Sequence, residues 1–179
     1  MKHAQGTSLL DVLITLSVAV LLVGVALPNF RATLAAGERT AAINGLLSAL
    51  HLARRVALTR AEVVVLCKSP DTEQCSRGQD LGWAPGILAF VNLDGDDPPQ
   101  VDDDEPILYR DTLPRGVDVS ANREAFFMRP YGRRSTNGTF TVCDRRGASH
   151  ARAVIVSWTG RPRIAPTTPS GEALQCPST

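Results

Sequence analysis

The chain has 179 residues with a formal net charge of +1; 44% are hydrophobic and 5% aromatic. That length suits one globular domain with an N-terminal element and leaves no room for several independent cores. A near-neutral total says nothing about partners, so the charge has to be read from its distribution along the chain.

The first element is a short polar leader ending at Gly6, followed by an apolar run, TSLLDVLITLSVAVLLVGVALPNF, through Phe30. The run approaches the ~20 residues needed to span hydrocarbon. It carries one acid, Asp11, near its start. A carboxylate in a lipid-facing segment costs about 2.5–3.5 kcal/mol at the bilayer centre and less near the edge, so it calls for a positive partner at the same depth. Cleavage after Gly6 would supply one, because the new α-amino group of Thr7 would then stand close to Asp11, the fifth residue of the product. The alternatives are a plain membrane anchor and a secretory signal peptide, with Lys2 and His3 as its n-region, Val12 to Leu27 as its h-region and Gly24-Val25-Ala26 as its cleavage site. An acid at the edge of the h-region, where the n-region should carry positive charge, and a helical pattern that runs on past the cut argue against the signal peptide.

Leader, glycine, acid five residues on, apolar helix and Pro28 together resemble the prepilin signature of type IV pilins and type II secretion pseudopilins. That resemblance implies cutting by a prepilin peptidase after Gly6, N-methylation of Thr7, and a contact between Asp11 and a neighbouring subunit's N-terminus during assembly. The chain departs from the family at Thr7, where Phe is usual, and at Asp11, where Glu is usual.

From Phe30 to about Arg60, Ile43, Leu46, Leu47, Leu50, Ala53 and Ala57 recur at spacings of three and four, which predicts an amphipathic helix continuing the membrane one and needing a sheet to cover its apolar stripe. Pro28 should kink this helix, with Gly24, Gly37 and Gly45 as further weak points. The period then changes, and Glu62–Cys67, Gly86–Asn92, Pro106–Tyr109, Ala125–Met128, Gly138–Asp144 and Ala151–Trp158 read as strands. Asn137-Gly138 and Asp144 to Gly147 read as hairpin signals, Asp94 to Pro99 as a loop, and Pro166 to Thr179 as a tail extended over the surface.

All four cysteines lie beyond the membrane segment, which fits an oxidising compartment such as the periplasm. They allow three pairings. Cys67 and Cys75 are close in sequence around Pro70, leaving Cys143 to tie Cys176; a zinc site has neither a C-x-x-C nor a histidine near either pair. Charge is segregated as well. Acids crowd residues 94–111, whereas residues 112–165 hold Arg115, Arg123, Arg129, Arg133, Arg134, Arg145, Arg146, Arg152, Arg161 and Arg163 against Asp118, Glu124 and Asp144. This asymmetry points to an anionic partner; a scatter of arginines over a solvated surface is the alternative.

The second half narrows the resemblance to the FimT/GspH group of minor pilins and pseudopilins, through LHLARRVALTR before VVVLC, through GWAPGILAFVNLDGD, and through GTFTVCD followed by ARAVIVSWTGRPR. The implied fold is α+β, a long N-terminal helix packed on an antiparallel β-rich head, divided as residues 1–6, 7–30, 31–60, 61–165 and 166–179. TGRPR resembles the G-R-x-R motif by which FimT-type minor pilins bind DNA in natural transformation. Gly160 lets the chain turn, and Arg161 and Arg163, two apart in an extended segment, are expected to point toward successive phosphates, with Pro162 stiffening the link. Arg133, Arg134, Arg145, Arg146 and Arg152 are expected to extend the patch, and Trp158 is expected to pack rather than to stack a base.

Other chemistry is poorly supported. NLDGDD, residues 92–97, has acids for Ca²⁺ but not the EF-hand spacing, and Asn137-Gly138-Thr139 fits a glycosylation sequon only formally. No nucleophile has a recognisable base and orienting acid, so the chain reads as non-enzymatic and without cofactor. The resulting expectation is a minor pilin held in the bacterial inner membrane with its head in the periplasm, then built into a pilus among other major and minor pilins, where it binds DNA for competence. A structural subunit of a pilus or of a type II secretion pseudopilus is the rival.

Overall fold

The computed structural model describes residues 9–76, 78 and 82–177, and no side chain of residues 25–28. Gly6 and Thr7 therefore lie outside the described residues. Among the described residues, one α-helix, α1 (Leu9–Arg60), is followed by eight strands, β1 (Val63–Lys68), β2 (Ile87–Asn92), β3 (Ile107–Asp111), β4 (Val117–Ala121), β5 (Ala125–Met128), β6 (Gly138–Asp144), β7 (Arg152–Val156) and β8 (Pro162–Ala165), with a single 3-10 turn, Ala148–His150, between β6 and β7. The chain divides into two compact units, one up to Leu34 and one from Ala35 onward.

In the first unit, α1 is long and apolar enough to cross a membrane. Its large apolar side chains from Leu9 to Val23 are exposed, as suits a segment solvated by lipid or by other helices. Helix is assigned without interruption through Pro28. The missing N–H at a proline forfeits one hydrogen bond and need not end the element.

In the second unit, Ile43, Leu46, Leu50, Ala53 and Ala57 of the expected stripe are buried and Leu47 is partly buried, while Ala42 and Ala49 join the stripe. The strands make two antiparallel sheets, ordered β3-β2-β1-β5 and β4-β6-β7-β8. Strand alternation sends Val64 and Leu66 of β1, Phe126 and Met128 of β5, Phe140 and Val142 of β6, and Val154 and Val156 of β7 into the same core as the helix stripe. Trp83 meets Phe140 edge-on, with ring centroids 4.8 Å apart, and Phe126 stacks on Phe140 at 4.4 Å.

Four elements differ from the sequence expectation. β4 was not anticipated: VDVSA is short, but it alternates, with Val117 and Val119 buried and Asp118 exposed. β8 is not among the strands read from the sequence, where residues 161–163 form only an extended segment after the turn at Gly160, and it begins at Pro162. A proline without an N–H is tolerated at the first residue of a strand and on a sheet edge, and β8 is the edge of its sheet. Asn137-Gly138 is not a hairpin turn, since β5 and β6 belong to different sheets. Gly138 instead opens β6 where the chains crowd: a Cβ there would lie 2.8 Å from Asn122 Oδ1 and 2.8 Å from Phe126 Cε1. The tail is not simply extended, for Thr167 bridges back to Ala173 and Leu174 is buried.

The cysteines pair as Cys67–Cys75, across a sequence separation of 8, and Cys143–Cys176, across 33. The second bond holds the tail beside a small cluster on the outer face of β6 and β7 that includes Ala153, Ile155 and Leu174. Closing the longer loop removes more freedom from the unfolded chain, on the order of 2–4 kcal/mol.

Candidate nucleic-acid interface

The TGRPR segment is shaped by the turn between β7 and β8. Gly160 N–H donates to Ser157 O at 2.8 Å, Ser157 N–H donates to Arg161 O at 3.0 Å, and Arg161 N–H donates to Ser157 Oγ at 3.2 Å. Gly160 adopts φ +70, and a Cβ there would lie 2.9 Å from Met128 Sδ, 3.3 Å from Ser135 Oγ and 3.4 Å from Arg54 Cδ. Both facts exclude any other residue without strain. The turn is thus seated on the end of β5, on the following loop and on the helix.

That following loop, residues 129–135, forms the second wall. Its tip closes through Arg133 N–H donating to Pro130 O at 3.2 Å, and its end is fastened by Ser135 N–H donating to Trp158 O at 2.9 Å. Arg129 N–H donates to Ser135 Oγ at 3.0 Å. The helix supplies the base, where Arg54 Nε donates to Thr159 O at 2.8 Å.

Between these walls lies an open cleft of about 520 Å³, lined by the arginines 54, 129, 133, 134 and 161 and, among the described residues, by no aspartate or glutamate. The guanidiniums are oriented by neutral groups. Arg134 stands 4.4 Å over the Trp158 ring, Arg129 stands 5.1 Å over Phe127, and Arg129 also donates to Arg134 O at 3.2 Å. Among the described residues, the arginine ion pairs are Arg39–Asp144, Arg145–Glu38 and Arg146–Asp144, and none involves the cleft. The cleft therefore presents uncompensated positive charge, an arrangement suited to anionic oxygens.

The expected site residues separate into two groups. Arg133, Arg134 and Arg161 line the cleft together, with Gly160 beneath them. Arg163 is exposed on β8, opposite Ile155 of β7, and does not line it. Arg145, Arg146 and Arg152 are not brought there, because they follow β6 or open β7 and so lie at the other end of β7. Arg145 pairs with Glu38 at 2.7 Å, Arg146 holds Asp144 through bonds of 3.0 and 2.6 Å, and Arg152 donates to Ala151 O at 2.8 Å. Arg39 on the helix donates to His150 O and faces Asp144, so Arg39 and the Arg145–Glu38 pair fasten the helix to the β6–β7 turn, while Arg146 and Arg152 bond within that turn region. Burial opposes ionisation of Asp144, but the hydrogen bonds and charge of Arg146, with Arg39 beyond it, hold its carboxyl below the usual range.

Arg54 and Arg129 were not assigned to the site from sequence. Arg54 sits in LHLARRVALTR, off the apolar stripe, and only the packing of the helix on the sheets shows what it reaches. Trp158 was expected to pack, yet it is 52% exposed. Three acids of residues 92–105 are bonded within their own loop: Glu105 accepts from Leu93 N–H at 2.6 Å, Asp96 from Gln100 N–H at 2.8 Å and Asp94 from Asp96 N–H at 3.0 Å. Among the described residues, no group of three or more His, Cys, Asp or Glu side chains is arranged to hold a metal.

A membrane-length helix that continues into a head of two antiparallel sheets is the architecture of the type IV pilin class. Residues 42–160 match the family model described as type II transport protein GspH, and the chain belongs to that family of minor pilins and pseudopilins. Two crystal structures of the type IV minor pilin FimU of Pseudomonas aeruginosa share the fold, with TM-scores of 0.51 and 0.54 at 17% sequence identity. The matches cover 76% and 78% of this chain and 96% and 94% of theirs. No curated protein sequence matches the chain.

Proposed function

We propose that this minor pilin binds DNA without sequence preference through the arginine-lined cleft, for uptake in natural transformation. The observation that carries the reading is the convergence of Arg54, Arg129, Arg133, Arg134 and Arg161 on one cleft with no acid among the described residues that line it. Phosphate contacts of this kind release counterions, so they supply affinity that is indifferent to sequence and steeply dependent on salt. Gly160, Arg161 and Arg163 stand as in the G-R-x-R motif, Arg161 in the cleft and Arg163 on the exposed edge strand beside it. Prepilin peptidase would cut after Gly6 and the new Thr7 amine would be methylated. The helix would hold the subunit in the inner membrane, head in the periplasm, until Asp11 engages a neighbouring pilin's N-terminus.

The family match favours a second reading, a structural subunit of a type II secretion pseudopilus with no affinity for DNA. Electrophoretic shift of an unrelated set of duplexes by the full chain in nonionic detergent separates the two. Salt-sensitive shifts of every duplex support the DNA-binding reading. No shift at low ionic strength supports the structural one.

A further inference from the structure

The exposed aromatic residues of the head, Tyr131 at 90% and Trp158 at 52% relative exposure, both line the arginine cleft. Orienting Arg134 accounts for part of Trp158, but phosphate binding gives no reason for Tyr131 or for the indole surface left in water, since guanidiniums suffice for a duplex backbone and exposed apolar surface is unfavourable. Trp158 is held in place. Its carbonyl accepts from Ser135 N–H at 2.9 Å, and Arg134 covers its ring at 4.4 Å, which fixes the indole plane. More than half of the residue still faces solvent. In a duplex the base faces are stacked on one another and out of reach, whereas an unpaired strand offers a face at every nucleotide. The cleft, at about 520 Å³, also falls in the range of small-ligand sites.

We propose that Trp158, with Tyr131 at the rim, is a stacking platform for unpaired bases, so that the cleft takes single-stranded nucleic acid in preference to duplex. Arg134, lying against the indole, is placed to neutralise the phosphate next to a stacked base, and the other arginines track the strand. This rests on the DNA-binding reading above and specifies its substrate.

The test is fluorescence titration of the full chain in detergent with oligothymidylate, with a blunt duplex of equal phosphate content and with inorganic polyphosphate. Trp83 is 2% exposed, so quenching reports Trp158. The expected result is quenching and tighter binding by oligothymidylate than by duplex. Trp158→Ala should then lower oligothymidylate affinity by at least ~5-fold while polyphosphate affinity changes little, and Trp158→Phe should restore most of the loss. Tyr131→Ala, at a side chain too exposed to matter for folding, should lower oligothymidylate affinity in the same selective way. Duplex binding equal to that of oligothymidylate, without quenching, overturns the stacking platform and leaves the DNA-binding reading standing. Absence of binding to all three ligands overturns both.

Discussion

Arg54 Nε, on the helix, donates to the carbonyl oxygen of Thr159 at 2.8 Å across a sequence separation of 105. That bond ties the helix to the turn that presents Arg161, so one side chain both shapes the cleft and adds charge to it. Replacing Arg54 by Ala should cost about 1 kcal/mol of head stability and reduce the magnitude of the log K against log[salt] slope for DNA by roughly 1. Arg54→Lys should keep most of the slope. Thermal melting and salt titration of the two variants check this; an Ala variant indistinguishable from wild type in both would contradict it.

Gly160→Ala should destabilise the head by about 1–2 kcal/mol, the cost of a left-handed L-residue. Crowding adds to this, because the new Cβ would lie 2.9 Å from Met128 Sδ. A lowered unfolding temperature together with weaker DNA binding is the expected outcome, measured by calorimetry and gel shift on the same preparation.

Acid should loosen the segment after β1. Asp71 accepts from Glu73 N–H, Gln74 N–H and the Ser69 hydroxyl, which pull its carboxyl from 3.8 to about 2. A depressed folded-state value contributes stability that is fully present above the unfolded value and lost as pH falls from about 4 toward 2. Asp71→Asn should flatten the stability profile in that window. At the alkaline end, burial and then Asp111 push the Tyr109 hydroxyl up to about 12. Its contribution is therefore intact below pH ~10 and lost between about 10 and 12, a step that Tyr109→Phe should remove from denaturation curves.

Asp11 belongs to the N-terminal unit, apart from the β-rich core. Asp11→Ala should leave a membrane-inserted subunit whose head melts normally but which no longer enters filaments. Immunoblots of sheared filaments against whole membranes read this out. N-terminal mass spectrometry should find a chain beginning at methylated Thr7, and a start at Leu27 would mean that a signal peptide had been removed instead.

What could be read from sequence divides by how local its cause is. The helix stripe from Ile43 to Ala57 carries its period, and strands such as β2 their unbroken apolar run, in consecutive residues, so they were legible. β8 was not, because its first residue lacks a donor and only its place on the sheet edge makes that harmless. Arg133, Arg134 and Arg161 could be nominated from composition and motif. Separating them from Arg145 and Arg146 could not be done in the same way, since it depends on which arginine folds back onto Glu38 or Asp144. Arg54 enters the site only through contacts distant in sequence, and the half-exposure of Trp158 was not legible either, because an indole after an apolar strand reads as packed.

The claim that the cleft binds DNA is tested most directly by the salt dependence of binding in the double variant Arg161→Ala/Arg163→Ala, compared with wild type and with Arg145→Ala. If each of the two TGRPR arginines neutralises about one phosphate, the double variant should lose roughly 2 from the magnitude of the log K against log[salt] slope, equally for unrelated duplexes. Arg145→Ala, whose side chain is paired with Glu38, should keep the wild-type slope. A double variant that binds as wild type does, or a wild-type chain with no salt-sensitive affinity for DNA, would contradict the account and leave a structural subunit.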